Sequence, residues 1–491
     1  MLRNFCWSIC GLIALSFIIG YAPKRASGHS TVPVPDRELS TQQMQADLTF
    51  MRNALEEAHP SLYRYYVKRE IDSCFDDAYN QLDHAMSELE YWRVMSKLVT
   101  HISSGHTVIW PSNAAQVQYN NRLKYVLPLS VAVINGKLYV SRVLTSDAAI
   151  KPGMQILAVN GRPDLNLLGT IRALIPGDGY SNALKDSKVQ ELGFLRNYWY
   201  VFGESKQYNI VYLDSAGNKA KQTLMALAIN RWPVPASRGT NQPYELSYPD
   251  SLPNTAIFRI HTFADTKAAE AYDAAFADFK KLKIRNLVLD LRGNGGGLFA
   301  ATTELLRYIA NKKFRMAYYN ECRVIEPSFM SHARNERKDN TLISRTYNPL
   351  PNGNLQVSDN LSSYLLPYTS HHYNKRIYVL TDGGTFSAAS TLVAVLKTQP
   401  GVTVIGQETG GNEGSTDGGV LSIITLPSTQ LQLRFPHFRY AIASAHPNSG
   451  YGVLPDVPVI PNPAQIGKQI DVVMNKAGEL ILQTEVTNSK K

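Results

Sequence analysis

Apolar residues recur at helical spacing near the start of the chain, at strand spacing through its middle, and in alternating blocks of both kinds towards its end. Ser40 and Gln43 form a capping-box signature, and Met44, Leu48, Met51 and Leu55 then fall on one helical stripe that His59-Pro60 closes. Ile71, Phe75, Tyr79 and Leu82 predict a second helix over 68–85. A third opens at the Ser87/Glu90 pair, with Val94, Met95, Leu98 and Ile102 along one face. Between 127 and 225 the pattern becomes β-like. Residues 131–140 hold Asn135-Gly136 between two apolar runs, a hairpin signal, and 148–161 pass through a Pro-Gly turn, a strand and an Asn-Gly turn. From 251 onward, strands at 255–260, 287–291, 376–380 and 402–405 alternate with helices at 265–282, 298–310 and 387–398. Strands at 420–426 and 430–435 follow, whereas the polar stretch 321–370 is assigned to no element. Strands alternating with crossover helices predict a layered α/β core.

A chain of 491 residues is expected to hold about three domains. The pattern divides it into a helical domain at 29–120, a β-rich domain at 121–225, a linker rich in Pro, Ser, Gly and Asn at 226–250, and the α/β core at 251–491. Residues 1–28 stand apart. Arg3 precedes an apolar run from 5 to 22, and Ala26-Ser-Gly closes it, as in an export signal. A run of about 18 residues also suits an uncleaved anchor. The protein is therefore expected in a periplasmic, cell-envelope or secreted location, touching a membrane only if that segment is retained. Of the net charge of +10, Arg3, Lys24 and Arg25 leave with such a leader; 10 less 3 is +7. The remaining basic residues are scattered, which excludes a nucleic-acid footprint. Cys6 and Cys10 leave too, and Cys74 with Cys322 read either as one disulfide or as two buried thiols. No Cys/His spacing suits a metal, and neither metal nor cofactor is expected.

Two strand–turn–helix units carry the candidate chemistry. One ends in Asp290-Leu-Arg-Gly-Asn-Gly-Gly-Gly297 and the other in Thr381-Asp-Gly-Gly-Thr-Phe-Ser387. Ser387 follows a flexible turn and opens a helix, whose N–H groups and partial positive charge favour an oxyanion. Serine there also serves as an ordinary N-cap. The glycine run lets backbone approach a substrate, so Gly295 and Gly296, with Ala388, are the expected oxyanion donors. Asp290 and Arg292 read as an internal pair that fixes the loop. Ser103-Ser-Gly-His-Thr107 ends the third helix. Gly105 is read there as a left-handed helix end that swings His106 onto a strand, which makes it the candidate base among eleven histidines.

These motifs, with Gly406-Gln-Glu-Thr-Gly-Gly411 and Gly452-Val-Leu-Pro-Asp456, resemble the tail-specific (C-terminal processing) serine peptidases over roughly 251–462. The turn order in 148–161 resembles the middle of a PDZ domain, a module that captures an extended peptide by strand addition. The resemblance implies a crotonase-like (ClpP-like) α/β core, endopeptidase activity and a peptide or unfolded-protein substrate. It also poses a problem. Most members pair the serine with a lysine, yet Asn412 stands where that lysine is expected, and Lys397 lies along the serine's own helix. The branch similar to the tricorn-protease core uses a histidine from an N-terminal domain instead. Ser104-Gly-His-Thr107 resembles that motif and makes His106 the base. For the third member the chain offers Glu413 or Glu408; the place where that branch has its glutamate holds Asn448-Ser-Gly450. The missing acid leaves a rival reading, an inactive binding protein for a peptide or hydrophobic ligand. A crotonase-type acyl-CoA enzyme fits export poorly.

Overall fold

The computed structural model describes residues 36–489, apart from 147, 191, 232–241, 334–345, 359–360 and 448. The leader lies outside these residues. Among them no helix is long and apolar enough to cross a membrane.

Three helices, Thr41–Ala58, Lys68–Asn80 and Glu88–His101, form the N-terminal layer, and the capping boxes at Ser40/Gln43 and Ser87/Glu90 are both made. The second helix stops at Asn80, short of the expected 85, and Tyr79 points outward. The layer does not close on itself. Met51, Leu55, Met95 and Leu98 share one core with Leu431, Leu433 and Phe435, more than 300 residues further on. The short strand Val108–Trp110 cements this by pairing antiparallel with Gln432–Ile442, Leu433 opposite Ile109.

The middle region is an antiparallel sheet in the order Lys219–Met225, Gln207–Leu213, Gln155–Val159, Lys137–Val143, Leu129–Ile134. The hairpin turns at Asn135-Gly136 through two positive φ angles, as a two-residue hairpin requires. Helices Asp164–Arg172, Ala183–Val189 and Leu192–Phe202 were not among the predicted elements. The interval read as a linker ends in strands, Leu227–Ala228 on Tyr125–Val126 and Tyr244–Ser247 on Thr255–Ile260.

The last region is mixed α/β. Its main sheet runs Tyr244–Ser247, Thr255–Ile260, Asn286–Asp290, Arg376–Thr381, Val402–Gly406, Val457–Pro458, with all but the first strand parallel. A parallel sheet is covered on both faces, and alternate residues show it here. Leu287, Leu289 and Val379 pack under the helices Ala268–Lys281, Phe299–Ile309 and Ala388–Leu396, while Val288, Leu380 and Ile405 meet Val473, Ala477 and Ile481 of the C-terminal helix. A second sheet holds Ser415–Thr425, Gln432–Ile442 and Ala317–Cys322, with Leu355–Val357 and Tyr347–Pro349 beyond. The last three strands fall in or beside the stretch left unassigned. Cys74 and Cys322 are not joined by a disulfide.

Candidate active site

The half that carries the candidate nucleophile is built locally. Strands Asn286–Asp290 and Arg376–Thr381 lie side by side and in register, so both glycine turns leave the sheet at the same end. Asp382 ties them: its Oδ1 accepts from the Gly293 and Gly384 N–H groups, each at 2.8 Å. Thr385 Oγ1 donates to Leu291 O at 2.9 Å, and Phe386 N–H donates to Asn294 O at 3.0 Å. Arg292 pairs with Asp290, as read from the sequence, and also with Asp471. Ser387 sits at φ 55°, ψ −126°, immediately before the helix Ala388–Leu396. A non-glycine residue held there stores of the order of 1–3 kcal/mol, and such strained strand-to-helix turns present a nucleophile outward. The Ser387 side chain makes no capping bond to its own helix, so the N-cap reading does not describe it.

Of the expected oxyanion donors, Gly296 needs correction. Its N–H is already given to Asn294 Oδ1 at 2.9 Å, a buried acceptor that holds the loop. Gly296 matters by what it lacks: a Cβ there would stand 2.8 Å from Ser387 Cβ and 2.9 Å from Ala388 N, at φ +100°. Ala388 is the first residue of its helix, where an N–H has no intrahelical acceptor. Gly295 lies half-buried in the same loop. These two remain the candidate donors.

The candidate base arrives from far away. His106 Nε2 lies 3.0 Å from Ser387 Oγ across 281 residues of chain. The left-handed residue in its turn is Ser103, at φ 59°, not Gly105. Gly105 is required for space instead, because a Cβ would meet the Phe386 ring at 2.7 Å. That ring stacks on His106 with centroids 4.7 Å apart. The imidazole is 2 % exposed. Burial, then the Arg434 cation, push its pKa down to about 3, against the opposing charge of Asp417. At neutral pH it is therefore an uncharged ring able to accept a proton. Arg434 Nε also donates to His106 O at 3.3 Å.

The acids anticipated for the third position are turned elsewhere. Glu413 Oε1 pairs with His446 Nδ1 at 2.9 Å, and Glu408 Oε1 accepts from Gly452 N–H at 2.8 Å. Asn412, in place of the family's lysine, accepts from Gly414 and Ser415 N–H groups and so shapes a turn. Lys397 reaches Asp456 and Leu454 O, away from the serine. The carboxylate whose charge does reach His106 is Asp417, on the strand Ser415–Thr425, where it accepts from Ser61 Oγ at 2.6 Å. Asp178 is a second acid near the base, holding Gly105 N–H at 2.6 Å. Sequence reasoning missed Asp178, Asp417 and Arg434. A signal existed: charges inside otherwise apolar strands, or between two glycines, must find partners once buried.

A buried neutral imidazole on a serine that opens a helix is the constellation of a serine hydrolase's nucleophile and base. Residues 254–459 match Peptidase family S41, the tail-specific (C-terminal processing) serine proteases. No curated protein matches the sequence. Among solved structures, mature CPAF complexed with lactacystin is similar in fold at 13% identity, with TM-score 0.63, covering 91% of this chain and 99% of that one. Mature CPAF alone matches at 12% identity and TM-score 0.63, covering 90% and 96%. The photosystem II D1 C-terminal processing protease matches at 16% identity and TM-score 0.42, covering 86% and 93%. Among the described residues no group of three or more His, Cys, Asp or Glu is arranged to hold a metal ion.

Proposed function

We propose that this protein is an exported serine endopeptidase in which Ser387 attacks the peptide carbonyl and His106 takes and returns the proton. One observation carries the reading: the 3.0 Å approach of His106 Nε2 to Ser387 Oγ at a strained helix entrance. With its proton on Nδ1, His106 accepts from Ser387 as the C–O bond forms. Ala388 N–H and Gly295 N–H stabilise the oxyanion, and the imidazolium then protonates the leaving amine. Asp417 is the negative charge that favours the imidazolium. An acid that orients or stabilises without taking the proton meets the usual requirement of such sites.

Two further features belong to the same reading. The region from 251 is a crotonase-like core, and the antiparallel sheet of 121–225 is a PDZ-like module that captures an extended peptide along an edge strand. The alternation of the five core strands and the Asn135-Gly136 hairpin support these assignments. The basic, then apolar, then small-residue start of the chain supports export. The test is cleavage of an unfolded protein and labelling by a fluorophosphonate probe, comparing wild type with Ser387→Ala and His106→Ala. Cleavage and Ser387 labelling by wild type alone are expected. Equal behaviour of all three proteins would leave the binding-protein reading in possession.

A further inference from the structure

Asp178 lies in the loop Ile175-Pro-Gly-Asp-Gly-Tyr180, between the helices Asp164–Arg172 and Ala183–Val189 of the middle region. This loop threads between the two halves of the site. Gly179 N–H donates to Ser103 O at 2.9 Å on one side, and Tyr180 N–H donates to Gly450 O at 2.9 Å on the other. Asp178 itself is 5 % exposed. Its Oδ1 accepts from Gly105 N–H at 2.6 Å, and its Oδ2 accepts from Asn412 N–H at 3.4 Å. Gly105 is the residue before the base. Asn412 belongs to the loop after the strand Val402–Gly406, on the nucleophile's side of the site.

We propose that Asp178 is a positioning residue for the Ser387–His106 reaction, its ionised carboxyl clamping the His106 turn to the Asn412 loop across the domain junction. The inference rests on the peptidase reading above. A carboxylate has acceptor capacity on both oxygens, whereas a carboxylic acid turns one oxygen into a donor. Protonation therefore leaves one of the two N–H groups facing a poor acceptor in a buried place, and the clamp slackens on that side.

The titratable groups that face Asp178 are Asp417, on the strand Ser415–Thr425, and Tyr65, after the first helix. Burial first, then the Asp417 charge, push Asp178 up to about 7, against the two backbone donors. Burial and the Asp178 charge push the Tyr65 hydroxyl up to about 12, so it stays neutral. His106 itself is held down at about 3, and an acid limb near neutrality cannot be its own titration. The sign for stability is opposite to that for activity. A carboxyl whose folded pKa exceeds its ordinary 3.8 helps the fold at low pH and loses that contribution as pH rises towards 7. Asp178→Asn thus removes a burden on the fold at pH 8 while weakening the clamp.

The experiment uses the full chain: kcat and KM on an unfolded-protein substrate from pH 4.5 to 9, for wild type, Asp178→Asn and Asp417→Asn. Melting temperature at pH 8 and amide exchange over 102–108 at one fixed pH accompany it. Wild-type kcat is expected to fall below about pH 7. Asp178→Asn should lose that limb, lower kcat at pH 8 by roughly 10- to 100-fold with KM little changed, and exchange faster at 102–108. Its melting temperature at pH 8 should not fall below wild type. Asp417→Asn, with Asp178 intact, should move the limb to lower pH. An Asp178→Asn protein with the wild-type limb and kcat overturns the proposal, as does one whose melting temperature and kcat fall together while the limb stays. Should wild type cleave nothing, the peptidase reading fails, and exchange decides the clamp by itself: unchanged exchange at 102–108 overturns it.

Discussion

The two halves of the candidate site are built on different principles. Ser387, the Gly293–Gly297 loop and Asp382 lie within a hundred residues of one another, on adjacent parallel strands whose register holds both turns at one edge. His106 is held by contacts that span the whole chain: Phe386 and Arg434 of the last region, Asp178 of the middle one, and a strand pairing between Val108–Trp110 and Gln432–Ile442. A local half is set by backbone geometry and should tolerate little. A distributed half is set by electrostatics and docking, and should respond in a graded way to charge and pH.

The widest break in this comparison comes from removing either reacting group. Ser387→Ala and His106→Ala should each lower kcat by about 10⁶, and the double variant by hardly more, because the two act as one unit. Single-turnover cleavage measures it, and additive losses would show that the two halves work separately.

Next comes the local half alone. Gly296→Ala puts a methyl 2.8 Å from Ser387 Cβ and 2.9 Å from Ala388 N, where backbone and nucleophile cannot both yield. A loss of about 10²–10³ in kcat is expected, the size seen when an oxyanion donor is removed. Ordinary kinetics beside wild type would refute the role given to this loop.

That contrast also explains what the residues disclose in order. The candidate nucleophile and its loop were legible because strand periodicity, glycine density and a helix-opening serine all lie in short windows. His106 was legible through a helix-ending motif, although the conformational argument fell on Gly105 when the left-handed residue is Ser103. The Gly296 N–H was assigned to the substrate because nothing local announces that Asn294 takes it. Asp178, Asp417 and Arg434 were legible only as charges that would need partners, not as site residues. Each is brought to His106 by tertiary docking, and a lone charge in a strand does not name its partner.

The distributed half should also titrate. His59 and His437 are pushed down to about 4 and His106 to about 3, each first by burial. Their unfolded forms take up protons near the ordinary 6.5, so folded-state stability is full above that value and is lost as pH falls towards 4. Asp178 works the other way, holding one proton in the folded state over the same window. Three protons gained on unfolding less one released leave about two, or a slope of about 3 kcal/mol per pH unit from these four groups. Denaturant unfolding at pH 7.5, 6 and 5 measures it, and a flat profile would deny that these histidines are buried neutral.

The smallest expected effect sharpens the comparison most, because it falls between the halves. Glu413 lies beside Asn412 and was a natural candidate for the acid behind the base, yet its carboxylate is given to His446. Loss of the acid from a serine–histidine–acid triad costs about 10⁴ in kcat when the acid fixes the tautomer. Glu413→Gln should cost less than about tenfold, since it removes a charge-assisted hydrogen bond to a mostly exposed imidazole and leaves His106 where it is. A loss near the triad value, at unchanged melting temperature, would restore Glu413 to the mechanism. The orienting of His106 would then be a local affair of the glycine loops, and the distinction between the halves would fall with it.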